Sequence, residues 1–334
     1  MKETSIPITV RYIITAILII SFILIGNFIT SGDTLSRTYN ALIIQIGFFI
    51  ILAVSLNLMA GYLGQLPLGH AGFMAVGAYA GALFWRLGIL PGILNAITGL
   101  LIAGIMAAIF GIIIGIPALR LKGDYLTIIT LGFGEIIRVV INNMDGITYG
   151  ARGLLNIPRY STFTLVYICV VITIATIHLI MRSRHGRAII SIRDNEIAAK
   201  SCGINITYYK VATFAISAFF AGIAGALMAG NQGILIPGNF DFMTSINILM
   251  IVVLGGMGSM VGSIISATVL TSFPVFLQHL DEYRMIIYSV LLICVMLFKP
   301  TGLMGSYEFS LSKVLEKIIS VKRKLMKGKP HEQS

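Results

Sequence analysis

Residues 182–210 read RSRHGRAIISIRDNEIAAKSCGINITYYK. This is the one long polar stretch inside a chain that is otherwise apolar, and the rest is read outward from it. It carries Arg182, Arg184, Arg187, Arg193, Lys200 and Lys210, against only two acids, Asp194 and Glu196. A short helix is expected in its middle. Asp194 is placed to cap the N-terminus, Ala198 and Ala199 favour helix, and Gly203 is placed to end it. A compact helix held between two apolar runs suits a docking handle for a partner protein. Residue chemistry alone leaves a second reading open, a solvated basic loop that only fixes topology, because basic cytoplasmic loops are the rule.

Composition sets the solvent. Of 334 residues, 57% are hydrophobic and 11% charged, where soluble proteins carry about 25% charged residues. One core cannot hide so much apolar surface, so the bilayer must surround it. The net charge of +11 sits in loops and a tail and does not suggest nucleic acid. Cys169, Cys202 and Cys294 have neither metal spacing nor an evident disulfide partner and read as free thiols. Lys2 and Arg11 precede an apolar run, Tyr12 to Ile29, that is longer than a signal-peptide core and lacks a small-residue cleavage site. It reads as an uncleaved first span.

A membrane helix needs about 20 apolar residues. Ten candidate runs lie near 12–29, 42–60, 71–85, 93–117, 125–143, 163–181, 211–230, 244–262, 264–277 and 285–298. The third and ninth are short enough to be re-entrant, so the expectation is an all-α polytopic membrane protein of eight to ten spans. With both termini cytoplasmic, that side holds 18 of the 24 Lys and Arg residues, the asymmetry that orients membrane proteins. Residues 1–305 form the expected transmembrane domain. Residues 306–334 form a basic, amphipathic cytoplasmic tail suited to anionic lipid.

Two uncharged glycine-rich stretches interrupt the helical pattern. One holds Gly61, Gly64, Gln65, Gly69 and His70, and the other Gly255, Gly256 and Gly258. Such breaks free backbone groups that must find partners in protein or a watery cavity. One break in each half is a pointer to a transport pathway. Close packing through small residues is the plainer alternative. Glu135 and Arg138 stand three apart on one helix face and can pair, either as part of the pathway or as a structural ion pair. His70 stands without other ligands and suits a hydrogen-bonding role. No phosphate loop is present, because Gly328-Lys329 is followed by Pro330. Neither a catalytic triad nor a His-Glu-x-x-His run is seen, so no enzyme is visible. The series of buried carboxylates that an ion-coupled carrier uses is also missing.

Five blocks then carry a resemblance. They are GYLGQLPLGHAGFMAVGAYAGAL from Gly61, LRLKGDYLTIITLGFGEIIR from Leu119, IRDNEIAAKSCGIN from Ile192, VLGGMGSMVGSIISATVL from Val253 and FKPTGLMG from Phe298. In this order they resemble the branched-chain amino-acid ABC transporter permease family, on its larger permease subunit, across roughly Ser55 to Gly305. The resemblance implies one subunit of a binding-protein-dependent importer in a prokaryotic cytoplasmic membrane. Its partners would be a second, similar permease, two ATPase subunits and an extracytoplasmic solute-binding protein. No cofactor is implied in this chain, since ATP is used by the ATPase subunits. The resemblance makes the central segment an ATPase-coupling element, with Glu196, Ala198, Ala199 and Gly203 matching its pattern and Arg193 and Asp194 beside them. It implies transport of leucine, isoleucine or valine by alternating access; related permeases serve urea and short amides. An ion-coupled carrier is the remaining alternative, with Glu135 as its one plausible carboxylate. Arg86, Arg152, Arg159, Asp281 and Glu282 lie in outer loops and are the candidates for docking the binding protein. The expected outcome for Gly203→Pro is lost solute uptake with normal membrane insertion, measured by transport assay and membrane fractionation.

Overall fold

The computed structural model describes residues 20–28, 30, 36–119, 121, 123–277, 283, 286, 287, 289, 290, 293, 297–299 and 302. The described residues are helical apart from loops and one isolated antiparallel bridge, Leu154 to Leu235. After a helical stretch at 20–28 come α1 (Arg37–Asn57), α2 (His70–Leu87), α3 (Gly92–Ala118), α4 (Asp124–Asn143) and α5 (Phe163–Arg182). The polar segment forms α6 (Arg184–Asp194) and α7 (Glu196–Ser201). The chain continues as α8 (Ile206–Gln232), α9 (Phe242–Gly255) and α10 (Met260–Phe276). A π-helical turn, Leu58–Tyr62, extends α1.

Local signals explain the boundaries. Pro91 precedes α3 in extended conformation, and Pro117 stands in its last turn. The Thr162 side chain accepts from the Leu165 amide to start α5, and that of Asn205 accepts from the Tyr208 amide to start α8. Gly233, at φ 74°, ends α8 in the left-handed region. Among the described residues, four helical stretches are long and apolar enough to cross a bilayer: Arg37–Tyr62, Gly92–Ala118, Phe163–Arg182 and Ile206–Gln232. Phe242–Gly255 and Met260–Phe276 are shorter and apolar. Together they make a polytopic helical membrane protein.

One boundary corrects the sequence reading. The expected spans 244–262 and 264–277 are instead 242–255 and 260–276, so the interruption falls at 256–259. Gly256 and Gly258 adopt φ of 103° and 87°, which removes them from any right-handed helix. Ser259 then caps α10 by accepting from the Gly262 amide. The run of hydropathy continued through a place where the backbone turns. The first and tenth expected spans lie mainly outside the described residues, as do Cys294 and the tail.

The core is built on α2, α3 and α8. Lipid supplies no hydrophobic drive between helices, so small residues and close backbone approach must hold them. A Cβ on Gly77 would fall on the Gly222 backbone, and one on Gly225 would strike the Met74 carbonyl. Gly81 faces Ala226, with 2.8 Å between a built Cβ and the alanine methyl. Trp85 is buried beside Gly99 and donates its indole N–H to Ala96 O. Ser217 Oγ donates to Ser55 O at 2.7 Å and ties α8 to α1. The outer face of α3, with Ile93, Ile97, Leu101, Ile105 and Ile112, is exposed and apolar, as a bilayer requires.

Gly77→Val should lower stability by about 1–3 kcal/mol, the usual cost of overpacking. Gly132, whose Cβ would meet nothing within 4 Å, is the control. Its alanine variant should change stability by at most about 1 kcal/mol. Thermal unfolding in detergent, followed by size-exclusion chromatography, separates the two.

Candidate functional site

The central segment folds as two helices rather than one. Ser183 ends α5 and at once caps α6, its Oγ accepting from the His185 and Gly186 amides. Asn195 separates α6 from α7 in extended conformation (φ −157°, ψ 104°). Its Oδ1 accepts from the Ile197 and Ala198 amides at 3.1 and 3.0 Å. Asn195, and not Asp194, is therefore the cap. Asp194 is the last residue of α6 and accepts instead from Arg193 Nε and Nη2. Gly203 ends α7 as expected: at φ 79° it donates to Lys200 O, and Ile204 donates to Ala199 O. That pair of bonds is a Schellman closure.

Only part of the matched pattern faces outward. Glu196 Oε2 accepts from Lys210 Nζ at 3.1 Å, and Lys210 is 3% exposed. This pair fastens α7 to the first turns of α8 and neutralises a cation that burial would otherwise penalise. Ala199 is buried against the body. Ala198 is exposed, and Ile197 is 78% exposed. This exposed apolar side chain lies outside the set singled out from the sequence. Lys210 was counted only as a loop cation; its position at the start of an apolar run was the available signal.

The two glycine breaks meet beneath this segment. Gly61 lies against Gly258 so closely that a Cβ on it would strike the Gly258 amide and Asn57 Oδ1. Asn57, fully buried, donates Nδ2 to Ser259 O at 3.1 Å and accepts from the Gly258 amide at 2.8 Å. Arg193 Nη1 donates to Gly61 O at 3.1 Å. A Cβ on Gly64, itself at φ 75°, would come within 2.7 Å of Arg193 Cγ. Gly255 packs on the Gly262 backbone, and Gly256 lies under Gly302. Asn57 was not singled out from sequence, although an asparagine in the last turn of an apolar helix was a readable sign.

The remaining residues of the first break lie apart from that junction. The loop after Tyr62 runs along α4: Thr127 Oγ1 donates to Leu66 O at 2.8 Å, and the Leu68 amide donates to Thr130 Oγ1. Gly69 packs on Thr130 O, and Gln65 Oε1 is buried without a hydrogen-bond partner among the described residues. His70 starts α2 and is 2% exposed, with Nε2 3.0 Å from Ser55 Oγ. That hydroxyl already donates to Leu52 O, which makes His70 Nε2 the donor. His70 is thus a buried hydrogen-bonding residue.

Glu135 and Arg138 pair as the three-residue spacing predicts, with Nε and Nη2 each 2.7 Å from Glu135 Oε2. Glu135 also lines a cleft with Leu68, Gly72, Leu131, Gly134, Phe240, Asp241, Phe242 and Ser245. The cleft has room for about 10 Å³, roughly one water molecule and far below the roughly 300–1,000 Å³ of ordinary ligand sites. Asp241 caps α9, its Oδ1 accepting from Thr244 N and Oγ1. Each carboxylate therefore uses one oxygen within the fold, beside an apolar wall of leucine and phenylalanine.

At the other end of the bundle, Arg86 sits over the Tyr149 ring, 5.3 Å from its centroid. Arg152 and Arg159 are exposed in the loop that the Leu154–Leu235 bridge holds in place. Asp281 and Glu282 lie outside the described residues.

Long apolar helices joined through glycines, with a polar two-helix element bonded to paired helix breaks, define a polytopic membrane protein. Residues 38–296 match the family described as branched-chain amino acid transport system / permease component, and the chain belongs to that family. It is 37% identical over 293 residues to the high-affinity branched-chain amino acid transport system permease protein LivM of Escherichia coli, covering 77% of this chain and 67% of that one. The LivH permease protein of the same organism is 26% identical over 302 residues, covering 83% and 94%. A probable branched-chain amino acid transport permease protein LivM of Methanocaldococcus jannaschii is 25% identical over 339 residues, covering 85% and 98%.

Asn57→Ala should leave the Gly258 amide without its acceptor, at about 1–3 kcal/mol, while the Ser259 carbonyl keeps its bonds from the Ser263 amide and hydroxyl. Asn57→Asp keeps an acceptor for Gly258 but brings a carboxylate into a fully buried site. Both variants should unfold in detergent at a lower temperature than wild type.

Proposed function

We propose that this chain is the larger permease subunit of an ABC importer that carries branched-chain amino acids across the cytoplasmic membrane. The single observation that carries the reading is the family match over residues 38–296; the docked α6–α7 element fits it. In this reading the chain spans the bilayer eight to ten times with both termini inside. It pairs with a second, similar permease and two ATPase subunits. A solute-binding protein delivers substrate to the end that bears Arg86, Arg152 and Arg159. Ile197 and Ala198 face the ATPase, while Glu196 and Gly203 hold α7 in the shape that docks.

Substrate passes the cleft lined by Glu135 and Asp241. The two half-engaged carboxylates suit an α-ammonium group, and Leu68, Leu131, Phe240 and Phe242 suit an aliphatic side chain. In the state described the cleft is too small for such a solute, as a closed stage of alternating access requires. The basic tail rests on anionic lipid of the inner leaflet.

The test is uptake into proteoliposomes holding this chain, its partner permease and both ATPase subunits, with binding protein added outside. Leucine uptake should require internal ATP, survive collapse of the ion gradients, and exceed uptake of urea and acetamide. Glu135→Gln, which keeps shape and removes charge, should lower uptake about tenfold, equivalent to about 1.4 kcal/mol. Uptake that persists without ATP and stops when the gradients collapse would favour an ion-coupled carrier and sink the proposal.

A further inference from the structure

We infer that Arg193 is a positioning residue whose guanidinium reaches back to the first glycine break. It carries displacement of the cytoplasmic helices to the paired glycine breaks, and it does not serve as a contact with the ATPase. The inference rests on the importer reading above and adds to it the route by which motion enters the bundle.

The bonds are continuous. Arg193 stands in the last turn of α6 and donates Nη1 to Gly61 O, while Nε and Nη2 hold Asp194 Oδ1. Carbonyls in a helix's last turn lack intrahelical partners, so the guanidinium supplies one that the break removes. Gly61 abuts Gly258, and Asn57 joins the Gly258 amide to the Ser259 carbonyl. Ser259 is in turn the cap of α10. From α6 to the start of α10, every step is a hydrogen bond or a backbone contact without an intervening side chain.

The downstream loop ties the same junction to the cleft. From Gly61 the chain runs through Gly64, where Arg193 Cγ fills the space a Cβ would need, to Leu66 and Leu68. Leu66 is bonded to α4 and Leu68 lines the cleft beside Glu135. A shift of α6 therefore moves the Gly61 carbonyl, and with it both α10 and the cleft wall. Glycines at Gly64 and Gly258, with φ of 75° and 87°, give the backbone places to re-hinge. The planar fork of arginine binds Asp194 and Gly61 O at once; a lysine ammonium has no such fixed geometry. Arg193 keeps 39% of its side chain exposed, but its guanidinium is committed to Asp194 and Gly61 O, whereas Ile197 and Ala198 of α7 are exposed.

The experiment uses the complete complex in nanodiscs and proteoliposomes, with Arg193→Ala and Arg193→Lys. Arg193→Ala should co-purify with both ATPase subunits as wild type does and continue to hydrolyse ATP. Leucine uptake per ATP should fall about tenfold, the scale of ordinary coupling between sites. Arg193→Lys should fall between the two. A second readout needs no solute. With Leu66→Cys as the only reactive thiol, maleimide labelling should change when a non-hydrolysable ATP analogue is added, and that response should vanish with Arg193→Ala. Loss of the ATPase subunits from Arg193→Ala would return Arg193 to the docking face and overturn the inference, as would a labelling response that survives. If the alanine variant does not insert, Arg193→Lys decides: wild-type uptake per ATP in it overturns the inference. A complex that shows the Arg193-dependent labelling response yet moves no leucine refutes the proposed substrate and supports the junction.

Discussion

Breaking a helix inside a bilayer frees backbone N–H and C=O groups that lipid cannot satisfy. The fold is arranged around that constraint. Asn57 covers the Gly258 amide and the Ser259 carbonyl with one side chain, and Arg193 covers the Gly61 carbonyl from outside the bundle. Placing the two breaks together lets an asparagine from the helix before the first serve the second, and the absence of side chains at Gly61 and Gly258 lets the backbones come close enough for it to reach. Without these partners, a continuous helix would be the cheaper structure at either site.

The rest of the bundle has to keep that junction in register without help from water. Close packing of α2, α3 and α8 through Gly77, Gly81, Gly222 and Gly225 does so, since small residues let helices approach where lipid offers no hydrophobic drive. Polar side chains add fixed points where the packing alone is smooth. Ser217 bonds Ser55 O, Ser245 Oγ accepts from the Ala71 amide at the start of α2, and Thr130 Oγ1 accepts from the Leu68 amide. The first ties α8 to α1, the second fixes the start of α2, and the third holds the loop between the first break and the cleft.

The polar segment obeys different rules because it faces water on one side. Its two short helices are too brief to persist on helix propensity alone. Caps at both ends and the buried Lys210–Glu196 pair hold them. The same set of bonds divides their surface. Ala199 is buried and Glu196 and Arg193 bond back to the bundle through their side-chain ends, while Ile197 and Ala198 are exposed. A pattern of matched residues thus mixes those that build the element with those that present it.

What the sequence by itself determined was the solvent, most of the spans and the places of interruption. Apolar runs of membrane length, glycine at the breaks, cap residues and the three-residue spacing of Glu135 and Arg138 are all local, and local geometry follows from them. Two local choices stayed ambiguous. Asp194 and Asn195 are adjacent and equally able to cap, and pairing of Asp194 with Arg193 left Asn195 to do so. Hydropathy also ran unbroken through 256–259, where positive φ at Gly256 and Gly258 divides α9 from α10. Tertiary structure alone decided which distant groups meet: Asn57 with Ser259, 202 residues on, and Arg193 with Gly61, 132 residues back. It also set Asp241 beside Glu135 and withdrew His70 into packing. Hydrogen bonds across such separations depend on how helices cross, and crossing is fixed by the summed fit of many small side chains, which no single stretch of the chain contains.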